Sequence, residues 1–160
     1  VKKKVKNISF LIIGGGEEES RLRLMAKKLH IENNVEFSGW MWDQGEIKKR
    51  LSGCAFAVAT YDPRGAKEDN FTYYADPTKI KTYLSCGLPV IMTDVSYNAK
   101  MLQNEGCTQI VSYAASAIAK AMMMWIDDAA KLEKARKSAI TTAHGFIWDN
   151  IFGKATGLGI

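Results

Sequence analysis

Cysteine, histidine and long apolar runs are all scarce in this 160-residue chain. Its three cysteines, Cys54, Cys86 and Cys107, are odd in number, far apart and set among apolar neighbours. They read as reduced core residues of a cytoplasmic protein and exclude a disulfide framework. No Cys-x-x-Cys pair occurs, and His30 and His144 stand alone, so no metal site is expected from these residues. No apolar run approaches the roughly 20 residues that cross a bilayer, and no signal peptide is visible. Charge of one sign is also thin. Lys and Arg outnumber Asp and Glu by 22 to 17, but Lys2, Lys3, Lys4 and Lys6 supply four of that surplus of five. A basic run at one end is a solvated edge, whereas a nucleic-acid surface needs basic side chains spread over a folded face with aromatics among them. Nucleic acid is therefore not an expected partner. The chain opens on Val1 and not on Met, as expected of a piece excised from a longer protein.

What is present is an alternation of short buried strands and amphipathic helices. Ile8 to Ile13 reads as a strand ending at Gly14-Gly15-Gly16, and Glu17 to Leu29 as a helix with Leu22, Met25, Ala26 and Leu29 on one face. A turn at Asn33-Asn34 leads into a strand over Val35 to Ser38. Asp43 caps a helix to about Leu51, and Cys54 to Thr60 is the next buried strand. Ala75 to Thr93 then packs a helix start, a short helix, a glycine stop and a strand into one stretch, with Asp76 as cap and Pro77 at the first helical position. Gly87 takes the left-handed conformation that ends the helix, and Leu88 to Met92 is a central parallel strand. Ser96 caps a helix to about Asn104, Gln109 to Val111 is a last strand, and helices follow over Ala114 to Ile126, Ala129 to Thr142 and Trp148 to Gly153. Five parallel strands are expected to order around those of Ala57 and Val90, with helices on both faces.

Such sheets bind ligands beyond the carboxyl ends of their strands. The triple glycine is the weaker candidate for a phosphate, because it runs straight into Glu17, Glu18 and Glu19 and lacks the G-x-G-x-x-G spacing of a dinucleotide site. It reads as a tight turn, though its glycines would let a ligand approach the backbone. A nicotinamide-dependent oxidoreductase is disfavoured on the same grounds. The helix start at Asp76 to Lys79 has the opposite balance, with free N–H groups, the Thr78 hydroxyl and the Lys79 ammonium together, and either binds phosphate or is an ordinary capped helix. The stretch 61–75 is long for a strand-to-helix connection, and long loops in compact domains are often functional.

The order and spacing of these motifs resemble the C-terminal, nucleotide-sugar-binding half of a GT-B glycosyltransferase of the glycogen-synthase-like, retaining group. PTKIKTYLSCGLPVIMTDV is similar to "P-x-K-x-x-E-Y-L-A-x-G-x-P-V-I-x-T", NNVEFSGW to "V-x-F-x-G", and IKKRLSGCAFAVATY to "L-x-x-x-x-x-x-A-D-x-x-V-x-P-S". LIIGGGEEE resembles the family's strand and glycine turn, and HGFIWDNIF its closing "F-S-W-x-x-x" helix, which crosses toward the other domain. The resemblance runs from about Ile8 to Phe152. It implies an α/β, Rossmann-like parallel sheet over residues 1–153, closed by a crossover helix at 146–153, and a tail over 154–160. The family's opening strand and helix, its basic diphosphate contacts and its acceptor domain lie outside the match.

By resemblance, Thr78 and Lys79 contact the donor diphosphate, and Gly15, Trp40, Met41 and Thr82 the nucleoside and ribose. Tyr74, Asp76, Asp94 and Ser96 lie on the sugar-contact loops. Trp40 and Trp42 either bracket the base or form a domain-contact patch. Asp69, Asn70, Tyr73, Tyr74 and Asp76 either bind sugar hydroxyls or are loop polarity. The family's two glutamates fall at Tyr74 and Thr82, and the acidic residue of its sugar loop falls near Lys100. A threonine cannot chelate both ribose hydroxyls, and the catalytic residues stay unassigned.

The implied activity is sugar transfer from a nucleotide-diphosphate sugar to a glycan or lipid-linked acceptor with retention, without a cofactor or metal, the isolated domain being inactive. The rival is a non-catalytic binding or interaction module that has lost the glutamates. The full-length protein is expected in the cytoplasm or at the inner face of the membrane. Phe146, Ile147, Trp148, Ile151 and Phe152 imply weak self-association, with Trp148 inside.

Overall fold

Every strand pair in the computed structural model is parallel, as an alternation of strands and helices requires. The structure describes residues 1–64, 69 and 71–157, without the Lys154 side chain. Gly65 and Asn70 of the long loop and the last three positions of the expected tail lie outside the described residues. The chain divides into two units, Val1–Arg50 and Leu51–Ile160.

In the first unit, β1 (Phe10–Ile12) pairs with β2 (Val35–Phe37) in the register Phe10↔Val35. Helix α1 (Glu19–Lys28) joins them, with Glu19 in its first turn and Lys27 and Lys28 in its last, each favoured by the helix dipole. Ala26 is its buried residue. The Asn33-Asn34 turn is a short 3-10 helix over Glu32–Asn34, and Asn34 Nδ2 donates to the Ile8 carbonyl at 2.7 Å. Asp43 caps α2 (Gln44–Ser52) as expected, its Oδ1 accepting from the N–H groups of Gly45 and Glu46 at 2.7 and 3.1 Å.

The second unit carries β3 (Ala57–Ala59), β4 (Val90–Thr93) and β5 (Thr108–Val111), with β4 in the centre. The Val90 strand, β4, is thus flanked on one side by the Ala57 strand, β3, and on the other by β5. Among the described residues the strands form a two-stranded ladder, β1-β2, and a three-stranded one, β3-β4-β5. The unit also carries α3 (Phe71–Tyr74), α4 (Thr78–Ser85), α5 (Ala99–Asn104), α6 (Ala115–Asp127), α7 (Ala129–His144) and α8 (Trp148–Thr156). All of β4 is buried, and its side chains alternate between two cores. Val90 and Met92 pack with Ile80 and Leu84 of α4, Ala99 and Leu102 of α5 and Ala139 of α7. Ile91 packs with Ala121 and Trp125 of α6 and Ala135 of α7. Met122 joins this packing, as a methionine on a helix face does. Cys107 is buried, Cys54 and Cys86 are half-buried, and none forms a disulfide.

Five sequence expectations need correcting here. Asp76 does not cap α4 and Pro77 is not its first helical residue. Pro77 occupies the cap position with φ −67° and ψ 107°, which leaves Asp76 one residue too early, and its carboxylate pairs with Lys81 instead. Ser96 does not cap α5 either. Asn98 precedes the helix, and the buried Ser96 hydroxyl donates to Asn98 Oδ1 at 2.8 Å. Trp148 is not inside, and α8 runs beyond Gly153 to Thr156. Trp148 is 69% exposed and stacks at 5.6 Å on Phe152, its neighbour one turn on, while Phe146 is the residue that packs against the core. Residues four apart share a helix face, so Trp148 and Phe152 turn outward together.

Gly87 ends α4 as the sequence implies, at φ +69°. Its N–H donates to the Leu84 carbonyl at 2.9 Å and that of Leu88 to the Tyr83 carbonyl at 2.9 Å, the paired bonds of a Schellman stop. A Cβ at this position would also meet Ile140 Cδ1 of α7 at 3.3 Å. Gly87→Ala should therefore lower stability by about 1–2 kcal/mol, from the left-handed backbone alone. Urea unfolding measures this, and an unchanged midpoint would mean that the helix end rebuilds without strain.

Candidate functional site

In the first unit, the loop after β1 meets the loop after β2. Gly14 N–H donates to the Gly39 carbonyl at 2.9 Å, closing a bridge between them. Gly15 lies close against the Trp40 indole, since a Cβ there would stand 3.0 Å from its Cδ1 and Nε1. Two of the residues expected near the nucleoside, Gly15 and Trp40, are thereby brought together, with Met41 beside them in sequence. Trp40 and Trp42 stack at 6.0 Å between centroids, 15° from parallel, and both are largely exposed. The acidic start of α1 is engaged locally. Glu18 pairs with Arg21 and Glu19 with Arg23, whose guanidinium also lies over the Phe37 ring.

In the second unit, the start of α4 carries Thr78 and Lys79, both exposed, and Pro77 at its cap position makes no side-chain bond to its free N–H groups. The two lysines of this helix differ in their surroundings. Lys81 is matched by the Asp76 carboxylate and lies over the Phe146 ring, 5.3 Å from its centroid. Lys79 Nζ lies 5.1 Å from the Tyr61 centroid and makes no ion pair among the described residues. One unmatched ammonium thus stands at the positive end of the helix dipole. Thr82 sits one turn further on, and its hydroxyl donates to the Thr78 carbonyl at 3.1 Å.

Tyr74, largely exposed at the end of α3, packs edge-on against Tyr73 at 5.1 Å. The Tyr73 carbonyl accepts the Tyr97 N–H at 3.2 Å, so the loop holding Asp94 and Ser96 is tied to the helix bearing Tyr74. Asp94 is half-buried on that loop, while Ser96 is buried and bonded to Asn98. Among the described residues no three His, Cys, Asp or Glu side chains converge as metal ligands would, and no helix is long and apolar enough to cross a membrane.

Sequence reasoning missed Tyr61 and Thr93. Thr93 ends β4, and its Oγ1 accepts the Tyr61 N–H at 2.9 Å and donates to the Tyr61 carbonyl at 2.7 Å. The Tyr61 ring is half-buried, and its hydroxyl oxygen is shut off from solvent with no hydrogen-bond partner among the described residues. Burial, with the Tyr83 phenol beside it adding to the effect, pushes this phenol up from 10.0 to about 12. The signal that could have found it is an aromatic residue placed directly after a buried strand.

The folded state holds the Tyr61 proton more tightly than the unfolded chain does. Its contribution to stability is full below pH 10.0 and is lost as pH rises through about 12. Tyr61→Phe should remove that loss, so the variant should keep more of its stability than wild type when urea unfolding is compared between about pH 9 and about pH 11. Equal losses in both proteins would place the alkaline transition elsewhere.

A parallel sheet with helices on both faces, built from such crossover units, is the Rossmann-like fold of a GT-B glycosyltransferase half. Residues 1–142 match the glycosyl transferases group 1, and the chain belongs to that family. No protein of curated function matches it by sequence. Among solved structures it is similar to WaaG, a glycosyltransferase involved in lipopolysaccharide biosynthesis, with TM-score 0.74 and 13% identity over 99% of this chain and 40% of that one. It is similar to the pneumococcal O-GlcNAc transferase GtfA in complex with UDP and GlcNAc, with TM-score 0.72 and 20% identity over 98% and 30% of the two chains. Anabaena HepE in complex with UDP gives TM-score 0.70 and 15% identity over 94% and 41%. At these identities the likeness is one of fold. The chain spans less than half the length of each of these proteins.

Proposed function

We propose that this domain binds the diphosphate of a nucleotide-sugar donor at the start of α4, through the N–H groups and hydroxyl of Thr78 and the ammonium of Lys79. The observation that carries the reading is the contrast between the lysines of that helix: Lys81 is neutralised by Asp76, and Lys79 meets no carboxylate among the described residues. Uncapped N–H groups beside an unmatched cation favour an anion. The UDP complexes of GtfA and HepE support a nucleotide diphosphate as that anion. In the whole protein the domain would serve a retaining glycosyltransferase of carbohydrate biosynthesis, with a glycan or lipid-linked acceptor held by another domain. Positive charge and helix N–H groups, without a metal, would stabilise the leaving diphosphate. Thr82 would meet the ribose, and Tyr74, Asp76, Asp94 and Ser96 the sugar. Gly15, Trp40 and Met41 would meet the nucleoside, the exposed indole offering a face to a base. We place the full-length protein in the cytoplasm or at the inner face of the membrane.

Lys79→Ala should weaken UDP and GDP about ten-fold or more, the factor expected from one charge-assisted contact of about 1.5–3 kcal/mol. Titration calorimetry reads this directly. Unchanged affinity would put the phosphates elsewhere.

A second reading, a binding or interaction module without catalysis, is favoured by one specific observation. Tyr74 and Thr82 stand where the resembled family has glutamates, so the group that would chelate a ribose diol is absent from α4. The outward pair Trp148 and Phe152, with half-exposed Ile147, would drive weak self-association of the chain on either reading. Light scattering over a concentration series should show association that Phe152→Asp reduces. A strictly monomeric wild type would remove that role from α8.

A further inference from the structure

We infer that Tyr61 is a positioning residue, which holds Lys79 at the start of α4 and is itself held by Thr93; the inference rests on the proposed diphosphate site. Lys79 is a long side chain with no carboxylate to fix it among the described residues, and a free lysine loses rotamer freedom when it engages a ligand. Among the described residues, its ammonium lies against the Tyr61 ring, 5.1 Å from Nζ to centroid. A ring face attracts a cation without neutralising it, so the charge is oriented and stays available to an anion. A carboxylate in the same place would orient the lysine and cancel it, as Asp76 does for Lys81.

The ring is in turn fixed from the backbone. Thr93 Oγ1 both accepts from and donates to the Tyr61 main chain, at 2.9 and 2.7 Å, and Thr93 is itself buried at the end of the central strand. The position of a surface ammonium is thereby referred to the most buried element of the unit. The ring face is the working part. The Tyr61 hydroxyl, buried with no partner among the described residues, contributes nothing to holding the lysine.

Three proteins separate these roles: wild type, Tyr61→Phe, which keeps the ring, and Tyr61→Leu, which does not. Each is titrated with inorganic pyrophosphate and with UDP, and the Lys79 side-chain methylene protons are followed by NMR for the upfield shift that an aromatic face imposes. Wild type and Tyr61→Phe should bind both ligands alike and share the shifted Lys79 resonances. Tyr61→Leu should bind both about three- to five-fold more weakly, the factor a partly exposed cation–π contact supports, and should lose the shift. Should Tyr61→Leu fail to fold, pentafluorophenylalanine at position 61 keeps the ring's shape and reverses the potential of its face, and is expected to weaken binding by a similar factor. Binding by wild type that these replacements leave unchanged overturns the positioning role alone. A loss in Tyr61→Phe equal to that in Tyr61→Leu also overturns it, by assigning the effect to the hydroxyl. Failure of wild type to bind either ligand overturns the diphosphate reading, and the positioning role with it.

Discussion

Complete burial of the stretch from Leu88 to Thr93 is the constraint from which the second unit is built. With no solvent to satisfy them, its backbone N–H and C=O groups need protein partners on both edges. They find them in β3 on one side and β5 on the other, extended at the strand's entry by Ala57 N–H to the Pro89 carbonyl and Val90 N–H to the Cys107 carbonyl. Its side chains then need cover on both faces, which α4, α5 and α7 give to Val90 and Met92, and α6 and α7 to Ile91. Each such side chain contributes about 1.5–3 kcal/mol when removed from water. Arg136 of α7 adds a polar tie, its Nη1 donating to the carbonyls of Cys54 and Ala55 at 2.9 Å each.

The same constraint aims the candidate site. Gly87 turns the chain from α4 into β4 within a single Schellman stop, so the helix cannot shift along its axis without breaking the strand's register. Ile80 and Leu84, both buried, fix its rotation. A helix held in translation and rotation presents its first turn in one direction, and that turn carries Thr78 and Lys79. At the other end of β4, Thr93 reaches across to Tyr61 and settles the ring under the Lys79 ammonium. Two ends of one buried segment therefore determine both halves of the arrangement.

What could be read from the sequence follows from how local each cause is. The Gly87 stop and the Asp43 cap are each set within one or two helical turns, and both stand as expected. Strand identities were legible from apolar runs, with β1 to β4 shorter than their runs and β5 starting one residue before the expected Gln109. Failures occurred at helix starts. Helix α4 begins one residue later than Asp76 as cap and Pro77 as first helical residue imply, and the Asp76 carboxylate pairs with Lys81. Ser96 and Asn98 are both capping residues, and burial of Ser96 decided that case. In the site, Lys79 was legible from its motif, while Tyr61 and Thr93 were not. They are 32 residues apart in the chain, and only the pairing of β3 with β4 makes them neighbours.

The residues at the positions of the family's glutamates take on a physical meaning in this setting. A carboxylate at Thr82 would stand one turn along the helix from the Lys79 region and would oppose the anion-attracting field of the helix start, in exchange for two hydrogen bonds to a ribose diol. With threonine there, and with its hydroxyl already donating to the Thr78 carbonyl, the local field stays positive and the diol partner is lost. Tyr74 likewise removes a negative charge from the loop side. On the proposed reading, recognition moves from the hydroxyls of the nucleoside toward the charge of the diphosphate. That shift also explains why the lysine needs a neutral support. Once charge carries most of the recognition, a carboxylate beside Lys79 would cancel the very term that remains, and an aromatic face orients the ammonium without doing so.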